Sequence, residues 1–263
     1  MRVIYLTDTH IKSDTPETRK DNFLDTVSHK LQEVAALCRD LQVDFVIHGG
    51  DLFDQPHPDQ ASLELMHRFL KELVIPFYCV AGNHDLVNQQ LSSLRVAALS
   101  SLAANNFILL QPGEKTYLSD GNCVIQLSGQ HFYAGIDRSN NGAAYIVKKV
   151  ACDFAIHVVH GMLLPKAFSE QVACTLISDI VSTEADFTLG AHAHLGYEVE
   201  LDGKYFINPG SLVRLTNLPR ETTRRPQVLL LDLSNTPSYR FISLKTALPA
   251  SEVLNMGCFR KEA

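Results

Sequence analysis

The sequence predicts an α/β domain with two mixed β-sheets and helices packed outside them. The chain has 263 residues, of which 46% are hydrophobic and 20% charged, close to a globular average. In the first half, short apolar runs alternate with helical patterns, which is typical of βαβ units and a parallel sheet. In the second half, short apolar runs follow one another with few helical patterns between them, which favours a second sheet.

The first half is predicted to contain three strands and three helices. The strands cover residues 3–6, 44–48 and 77–80. Apolar residues at steps of three and four between Leu24 and Leu41 mark the first helix. Residues 63–73 show the same spacing, and residues 91–102 are predicted to form the third helix.

The second half is predicted to contain seven strands and one helix. The strands are residues 124–127, 155–159, 187–189, 197–201, 205–207, 228–233 and 240–244. Asp202-Gly203 is predicted to be a tight hairpin turn between two of them. The helix covers about residues 169–181. We expect one domain over residues 1–247 and an irregular C-terminal tail over residues 248–263.

Composition excludes several classes of protein. The net charge of −6 excludes a strongly basic nucleic-acid-binding surface over the whole chain. The six cysteines form no C-x-x-C pair, which disfavours a disulfide framework or a thiolate zinc site. No apolar segment approaches the ~18 residues of a membrane span, and the N-terminal apolar run is too short for a signal peptide. We therefore expect a cytoplasmic protein with no membrane association.

Metal-ligating side chains follow five of the predicted strands. The residues are Asp8 and His10, Asp51, Asn83 with His84 and Asp85, His160, and His192 with His194. Because the carboxyl ends of strands line the ligand crevice of an α/β sheet, these residues are expected to converge. Carboxylate, imidazole and amide groups suit Mn, Fe or Zn, and even without His84 and Asp85 the seven remaining candidate ligands exceed the needs of one ion. Two ions sharing one carboxylate would catalyse in-line displacement at phosphorus.

The ordered series Asp8-x-His10, Gly50-Asp51, Gly82-Asn83-His84-Asp85, His160 and His192-x-His194 resembles that of the calcineurin-like metallophosphoesterases. Each element alone is common, but five in the same order over about 190 residues are specific. The resemblance implies a two-sheet sandwich flanked by helices and a catalytic domain over residues 1–247. It also implies two divalent metal ions, with Mn²⁺ favoured and Fe or Zn as alternatives.

The resemblance further implies a role for each matching residue. Asp8, His10 and His194 would bind one metal ion, and Asn83, His160 and His192 the other. Asp51 would bridge the two ions. His84 would contact the phosphate and assist the leaving oxygen while metal-bound hydroxide attacks phosphorus, and Asp85 would orient His84.

Within the superfamily, Gly50-Asp51-Leu52-Phe53-Asp54 and Asn208-Pro209-Gly210-Ser211 are similar to motifs of the SbcD-type DNA repair nucleases. This similarity implies phosphodiester hydrolysis, DNA as the substrate and an ATPase partner of the SbcC type. Those nucleases carry a DNA-capping domain after the catalytic core, whereas only about 50 residues follow Ser211. We therefore expect a separate capping domain to be absent.

Two alternatives stay open at this point: a small-molecule or cyclic-nucleotide phosphodiesterase of the same fold, and a non-catalytic interaction scaffold. Substrate contacts are also open. Arg214, in a cluster with Arg220, Arg224 and Arg225, is expected either to contact nucleic acid or to lie in a solvated loop. His131 is expected either to reach substrate or to lie in a surface turn. Asp54 is interpreted as a loop residue that caps the next helix.

Overall fold

Two six-stranded mixed sheets form the centre of the computed structural model, which describes residues 1–102, 104–138, 142–234 and 237–256. The strands of the two sheets are β1 (Arg2–Leu6), β2 (Phe45–His48), β3 (Phe77–Cys79), β4 (Phe107–Leu109), β5 (Thr116–Ser119), β6 (Val124–Gln130), β7 (Phe154–Val159), β10 (Phe187–Gly190), β11 (Tyr197–Leu201), β12 (Lys204–Asn208), β13 (Gln227–Asp232) and β14 (Ser238–Ser243). A separate two-stranded ribbon consists of β8 (Leu163–Leu164) and β9 (Thr175–Leu176). The α-helices are α1 (Phe23–Asp40), α2 (Gln60–Leu73), α3 (Pro219–Thr223) and α4 (Ala250–Val253).

The order of strands confirms the predicted fold class. The first sheet has the order β14-β13-β1-β2-β3-β4, with β1 to β4 parallel, as the βαβ pattern predicts. The second sheet has the order β11-β12-β10-β7-β6-β5 and combines parallel and antiparallel pairs. Asp202-Gly203 joins β11 and β12 as predicted, and both residues have positive φ, the conformation of a type I′ hairpin turn.

The alternating side chains of β1 show why the sheets pack face to face. Ile4 and Leu6 point to a core shared with α1 and α2. Val3 and Tyr5 point the other way, into a core between the sheets that includes Ile156 of β7. These four side chains are fully buried. The first sheet is therefore covered on both faces, which explains its continuous apolar runs.

The helices predicted at residues 91–102 and 169–181 are wrong. The first region forms two short 3₁₀-helices, Leu91–Val96 and Ala98–Ser101. There, serine hydroxyls donate to the backbone carbonyl three residues earlier, a local bond that competes with an α-helix. The second region contains β9 and a 3₁₀ turn at Ile177–Asp179. Sequence patterns did not predict the edge strands β4 and β5 or the two-residue strands β8 and β9.

The irregular tail expected over residues 248–263 is also partly wrong. Residues Ala250–Val253 form α4, and Val253 and Leu254 are buried. The chain then pairs with the segment before α1, because Asn255 N–H donates to the Thr18 carbonyl. Residues 257–263 lie outside the described residues. In the described ranges, no helix is long and apolar enough to cross a membrane.

Candidate metal centre

Both sheets contribute to one cluster of ligating side chains at the carboxyl ends of parallel strands. The first sheet provides residues after β1, β2 and β3, and the second provides residues after β7 and β10. Candidate ligand atoms lie within 4.8 Å of one another in three overlapping groups: Asp8 with His10 and His194, His10 with Asp51 and His84, and Asp51 with His160 and His192. The structure thus brings together residues that are up to 186 positions apart, as the strand-end pattern predicts.

Two groups correspond to the two ligand sets implied by the resemblance. In the first, His10 Nε2 lies 3.2 Å from His194 Nε2, and His194 Nε2 lies 3.7 Å from Asp8 Oδ1. In the second, Asn83 Oδ1 lies 3.1 Å from His160 Nε2. The His160 and His192 rings have their centroids 5.1 Å apart.

Asp51 lies between the two groups, and one of its oxygens lacks a hydrogen-bond partner. Asp51 Oδ1 accepts from His84 N–H, but the buried Oδ2 has no hydrogen bond. Oδ2 lies 3.7 Å from His10 Nε2 in one group and 3.4 Å from His160 Nε2 in the other. A buried carboxylate oxygen without a hydrogen bond needs a compensating cation. The residues present therefore fit a two-metal centre bridged by Asp51.

Hydrogen bonds on the far ring nitrogens orient two of the imidazoles toward this cluster. His10 Nδ1 donates to Asp54 Oδ1 at 3.2 Å, and His160 Nδ1 donates to the Gly49 carbonyl at 2.8 Å. In the neutral ring, each bond leaves the lone pair on Nε2, the atom that faces Asp51. Metal-ligating histidines commonly donate their second ring N–H in this way, to a carboxylate or to a backbone carbonyl.

Burial keeps the other two histidines neutral. Burial and the neighbouring His160 lower the pKa of His192 to about 4, and burial and His10 lower that of His194 to about 3. Burial would also lower the pKa of His160, but Asp51 and Asp8 outweigh it and raise that pKa to about 9. Burial would raise the pKa of Asp51, but His160 and His10 hold it far below its usual range. Metal ions bind ionised carboxylates and neutral imidazoles, so an ion at this centre would displace the proton that Asp51 and Asp8 favour on His160.

The backbone around the ligands takes uncommon conformations. Asp8, His10, Asp51 and His192 all have φ between 44° and 66°, in the left-handed region that non-glycine residues rarely adopt. Gly82 is required for a different reason. A Cβ at this position would overlap Asp51 Oδ1 and would lie 2.6 Å from His160 Cε1. The close approach of the loops thus depends on residue 82 having no side chain.

His84 is held at the edge of the cluster, where its side chain is 42% exposed. Its Nδ1 donates to the Asp54 carbonyl at 3.0 Å, which leaves Nε2 as its second functional nitrogen. Asp85 does not orient His84 as the resemblance implies. The buried Asp85 carboxylate instead accepts from Gly82, Leu52 and Phe53 N–H groups. It therefore joins the loops after β2 and β3, and burial and Asp51 raise its pKa to about 6.

Asp54 is the functional residue that sequence reasoning missed. Its carboxylate accepts from His10 Nδ1 and from Lys12 Nζ, the latter at 2.8 Å, while its carbonyl accepts from His84. It does not cap α2, because the side chain of Asp59 accepts from Ser62 N–H at that position. The sequence feature that could have identified Asp54 is its position, three residues after the candidate ligand Asp51.

Comparison with known proteins agrees with this geometry. Residues 1–235 match the family model described as calcineurin-like phosphoesterase. The chain belongs to the calcineurin-like phosphoesterase family. Members use a two-metal centre, so the chain is a metal-dependent phosphoesterase, and its His and Asp groups are candidates to hold the ions.

Relatives of this phosphoesterase include DNA-repair proteins and an uncharacterised protein. It is 28% identical over 231 residues to the DNA double-strand break repair protein Mre11 of Haloferax volcanii, which covers 84% of this chain and 47% of that protein. It is 25% identical over 172 residues to the uncharacterised metallophosphoesterase YhaO of Bacillus subtilis, covering 64% of this chain and 41% of the relative. The chain spans about half the length of the curated relatives it matches.

Solved structures of low identity share the phosphoesterase fold. A dimetal phosphatase from Danio rerio superposes with a TM-score of 0.57 at 11% identity, covering 92% of this chain and 96% of that one. The GAP50 anchor of the Plasmodium inner membrane complex superposes with a TM-score of 0.61 at 15% identity, covering 94% and 86%. Both confirm the two-sheet sandwich.

The phosphoesterase structure buries both predicted substrate contacts. Arg214 is 4% exposed, and its guanidinium donates to the backbone carbonyls of Arg224 and Leu248. It joins segments near the C-terminus, so the expected solvated loop is wrong. His131 is 1% exposed, and its Nδ1 accepts from Ala81 N–H at 2.9 Å. Its ring thus binds the backbone of the loop after β3. Because the side chain is buried, the expected surface turn is also wrong.

Two clefts open beside the centre, and both are lined by His192 and Met162. One, of about 320 Å³, includes the charged residues Asp137 and Arg138 among mainly apolar side chains. The other, of about 420 Å³, is also lined by His194 and contains mainly apolar side chains. A molecule bound at the ligand cluster can therefore extend in two directions.

Proposed function

We propose that the chain is a two-metal phosphodiester hydrolase that cleaves DNA strands, with Mn²⁺ as the favoured ion. The observation that carries the proposal is Asp51 Oδ2, a buried oxygen without a hydrogen bond that lies between His10 and His160. Imidazole, carboxylate and amide ligands suit Mn, Fe and Zn alike, so metal-binding experiments must test the preference for manganese. Similarity to proteins named for DNA double-strand break repair supports DNA as the substrate.

We assign a separate role in hydrolysis to each group of residues. Asp8, His10 and His194 would hold one ion, Asn83, His160 and His192 the other, and Asp51 both. The chemistry supplied by such a pair of ions, when bound, is activation of water and stabilisation of charge on the attacking and leaving oxygens. His84 would present Nε2 to the leaving oxygen, since its Nδ1 is held by the Asp54 carbonyl. Asp54 would fix the rings of His10 and His84 together.

The shape of the site supports a diester over a monoester. A phosphodiester carries two organic groups on phosphorus, whereas a monoester carries one. The two clefts that share His192 and Met162 would receive one group each. A small-molecule or cyclic-nucleotide phosphodiesterase is the second candidate. It is favoured by 29% identity over 93 residues to a probable cyclic nucleotide phosphodiesterase of Psychrobacter arcticus, which covers 34% of this chain and 33% of that protein.

A substrate panel tests the proposal. Protein reconstituted with Mn²⁺ is assayed on single-stranded DNA, duplex DNA, a cyclic nucleotide and bis-p-nitrophenyl phosphate. We expect cleavage of DNA by the native protein and loss of both metal binding and activity in Asp51→Ala. His84→Ala should keep its metal and lose roughly 10²–10⁴-fold in rate. Cleavage of small esters alone would refute the nuclease and favour the second candidate. Absence of bound metal and of all activity would favour a non-catalytic scaffold.

An ATPase partner of the SbcC type stays a prediction. Co-purification of the chain with such an ATPase, measured by size-exclusion chromatography at equal concentrations, would support it. Separate elution at micromolar concentration would count against it.

A further inference from the structure

The larger of the two clefts is lined by exposed apolar side chains from two separate loops. Phe168, on the loop between β8 and β9, is 65% exposed, and Leu195, directly after His194, is 45% exposed. Single exposed apolar residues are ordinary, but these two face one cavity that is also lined by metal-ligand candidates. The cleft thus offers an aromatic and aliphatic surface next to the reaction centre.

The charge of this cleft is opposite to that of the chain. Lys166 and Arg220 line it, and its lining includes no Asp or Glu. Within the described residues, neither cation forms an ion pair. In a chain of net charge −6, two unpaired cations beside an aromatic ring are suited to an anion attached to a flat apolar group.

The loop that carries Phe168 is fixed at both of its ends. Leu163 and Leu164 pair with Thr175 and Leu176, which closes the loop with a two-stranded ribbon. The Asp137 carboxylate accepts from Met162 N–H at 2.7 Å and from the Thr175 hydroxyl at 2.8 Å. The wall of the cleft is therefore held in place beside His192 by contacts that do not involve a ligand.

We propose that this cleft binds one nucleotide of the substrate, with its base stacked on Phe168 and its neighbouring phosphate bound by Lys166 and Arg220. The proposal rests on the proposed phosphodiester hydrolysis and adds a base-binding subsite to it. Base–aromatic stacking tolerates any base because each has a π-face, so this subsite would favour unpaired strands without sequence preference. A duplex, whose bases are stacked on one another, would first have to release a nucleotide.

Tryptophan fluorescence tests the stacking directly, because the chain has no tryptophan of its own. Phe168→Trp is introduced together with His84→Ala, which prevents cleavage, and the protein is titrated with a ten-residue oligothymidylate in the presence of Mn²⁺. The comparison ligand is an abasic strand of the same length. We expect quenching by the oligothymidylate and an affinity for the abasic strand that is roughly 5- to 150-fold lower, the range of one stacked base.

The matched control is Tyr117→Trp in the same background. Tyr117 is 47% exposed on β5, at the opposite edge of the sheet from β11, and its emission should not change. Lys166→Gln combined with Arg220→Gln should weaken both strands equally. It should also lower the slope of log affinity against log salt by about 0.7, because the two cations bind one phosphate and each single-strand phosphate contributes about 0.7.

Equal affinity for the two strands, or unchanged emission with saturating oligothymidylate, would overturn the base-binding subsite. A native protein that cleaves neither strand, combined with selective quenching by the oligothymidylate, would refute DNA hydrolysis and still support the subsite. Failure of the proposed function and failure of the subsite are therefore distinguishable.

Discussion

Replacement of Asp54 by alanine tests whether a residue that binds no metal itself controls metal affinity. The change removes the carboxylate that accepts from His10 Nδ1 at 3.2 Å. It keeps the backbone carbonyl that holds His84. The substitution therefore changes the orientation of His10 and leaves the hydrogen bond to His84 in place.

The structure gives the size of the expected effect. The His10 side chain is fully buried and that of Asp54 is 23% exposed, so only water that enters the space left by the carboxylate can replace the lost acceptor. A hydrogen bond to a charged group contributes about 1.5–3 kcal/mol. Since 1.4 kcal/mol corresponds to about tenfold in affinity, the loss should be roughly 10- to 100-fold, the range found for residues that support metal ligands.

Isothermal titration of metal-free protein with Mn²⁺ measures this loss. Asp59→Ala is the matched control, because it removes the same charge from the N-cap of α2. It should cost about 1 kcal/mol of stability and leave the Mn²⁺ affinity unchanged. Asp54→Asn, whose amide oxygen can still accept from His10, should recover part of the affinity. If Asp54→Ala binds Mn²⁺ as tightly as Asp59→Ala, the orienting role of Asp54 is refuted.

Three further predictions concern the loops and the fold. Gly82→Ala should abolish Mn²⁺ binding while the protein stays folded by circular dichroism, because a Cβ there overlaps Asp51; calorimetry showing normal binding would contradict this. Arg214→Leu should lower the free energy of unfolding by on the order of 3 kcal/mol in urea titrations and leave activity per folded molecule unchanged. A selective loss of activity would restore Arg214 as a substrate contact. Addition of Mn²⁺ at 100 times its Kd should stabilise the metal-free protein by about 2.7 kcal/mol, seen as a higher Tm; an unchanged Tm would exclude a site that binds only the folded state.

The sequence predicts the fold where one pattern extends over many residues. The spacing from Leu24 to Leu41 predicts α1, and the apolar runs with helices between them predict the parallel strands. Prediction fails where tertiary contacts decide the local structure. The segment before β10 forms a ribbon and a turn because Asp137 binds Thr175 and Met162, and no pattern within residues 169–181 encodes that contact.

In the candidate site, the sequence predicts the ligands but not the hydrogen bonds that orient them. Strand-end motifs select the ligands because their residue types are visible in the sequence. They do not identify hydrogen-bond partners, so Asp85 was expected to hold His84, a task that the structure gives to the Asp54 carbonyl. Nor do they show backbone strain, because Asp8, His10 and Asp51 are not the glycines that usually mark a positive φ.

The strained conformations are sustained by packing between the sheets. The Tyr5 hydroxyl on β1 donates to the Gly190 carbonyl on β10 at 2.6 Å, directly beside the loops that carry Asp8 and His192. Asp8 in turn accepts from His192 N–H, so the two loops are joined before any ion binds. Because ligands from both sheets must meet, a change that separates the sheets disrupts the whole centre and not one ligand. The preformed cluster thereby avoids an ordering cost when metal binds.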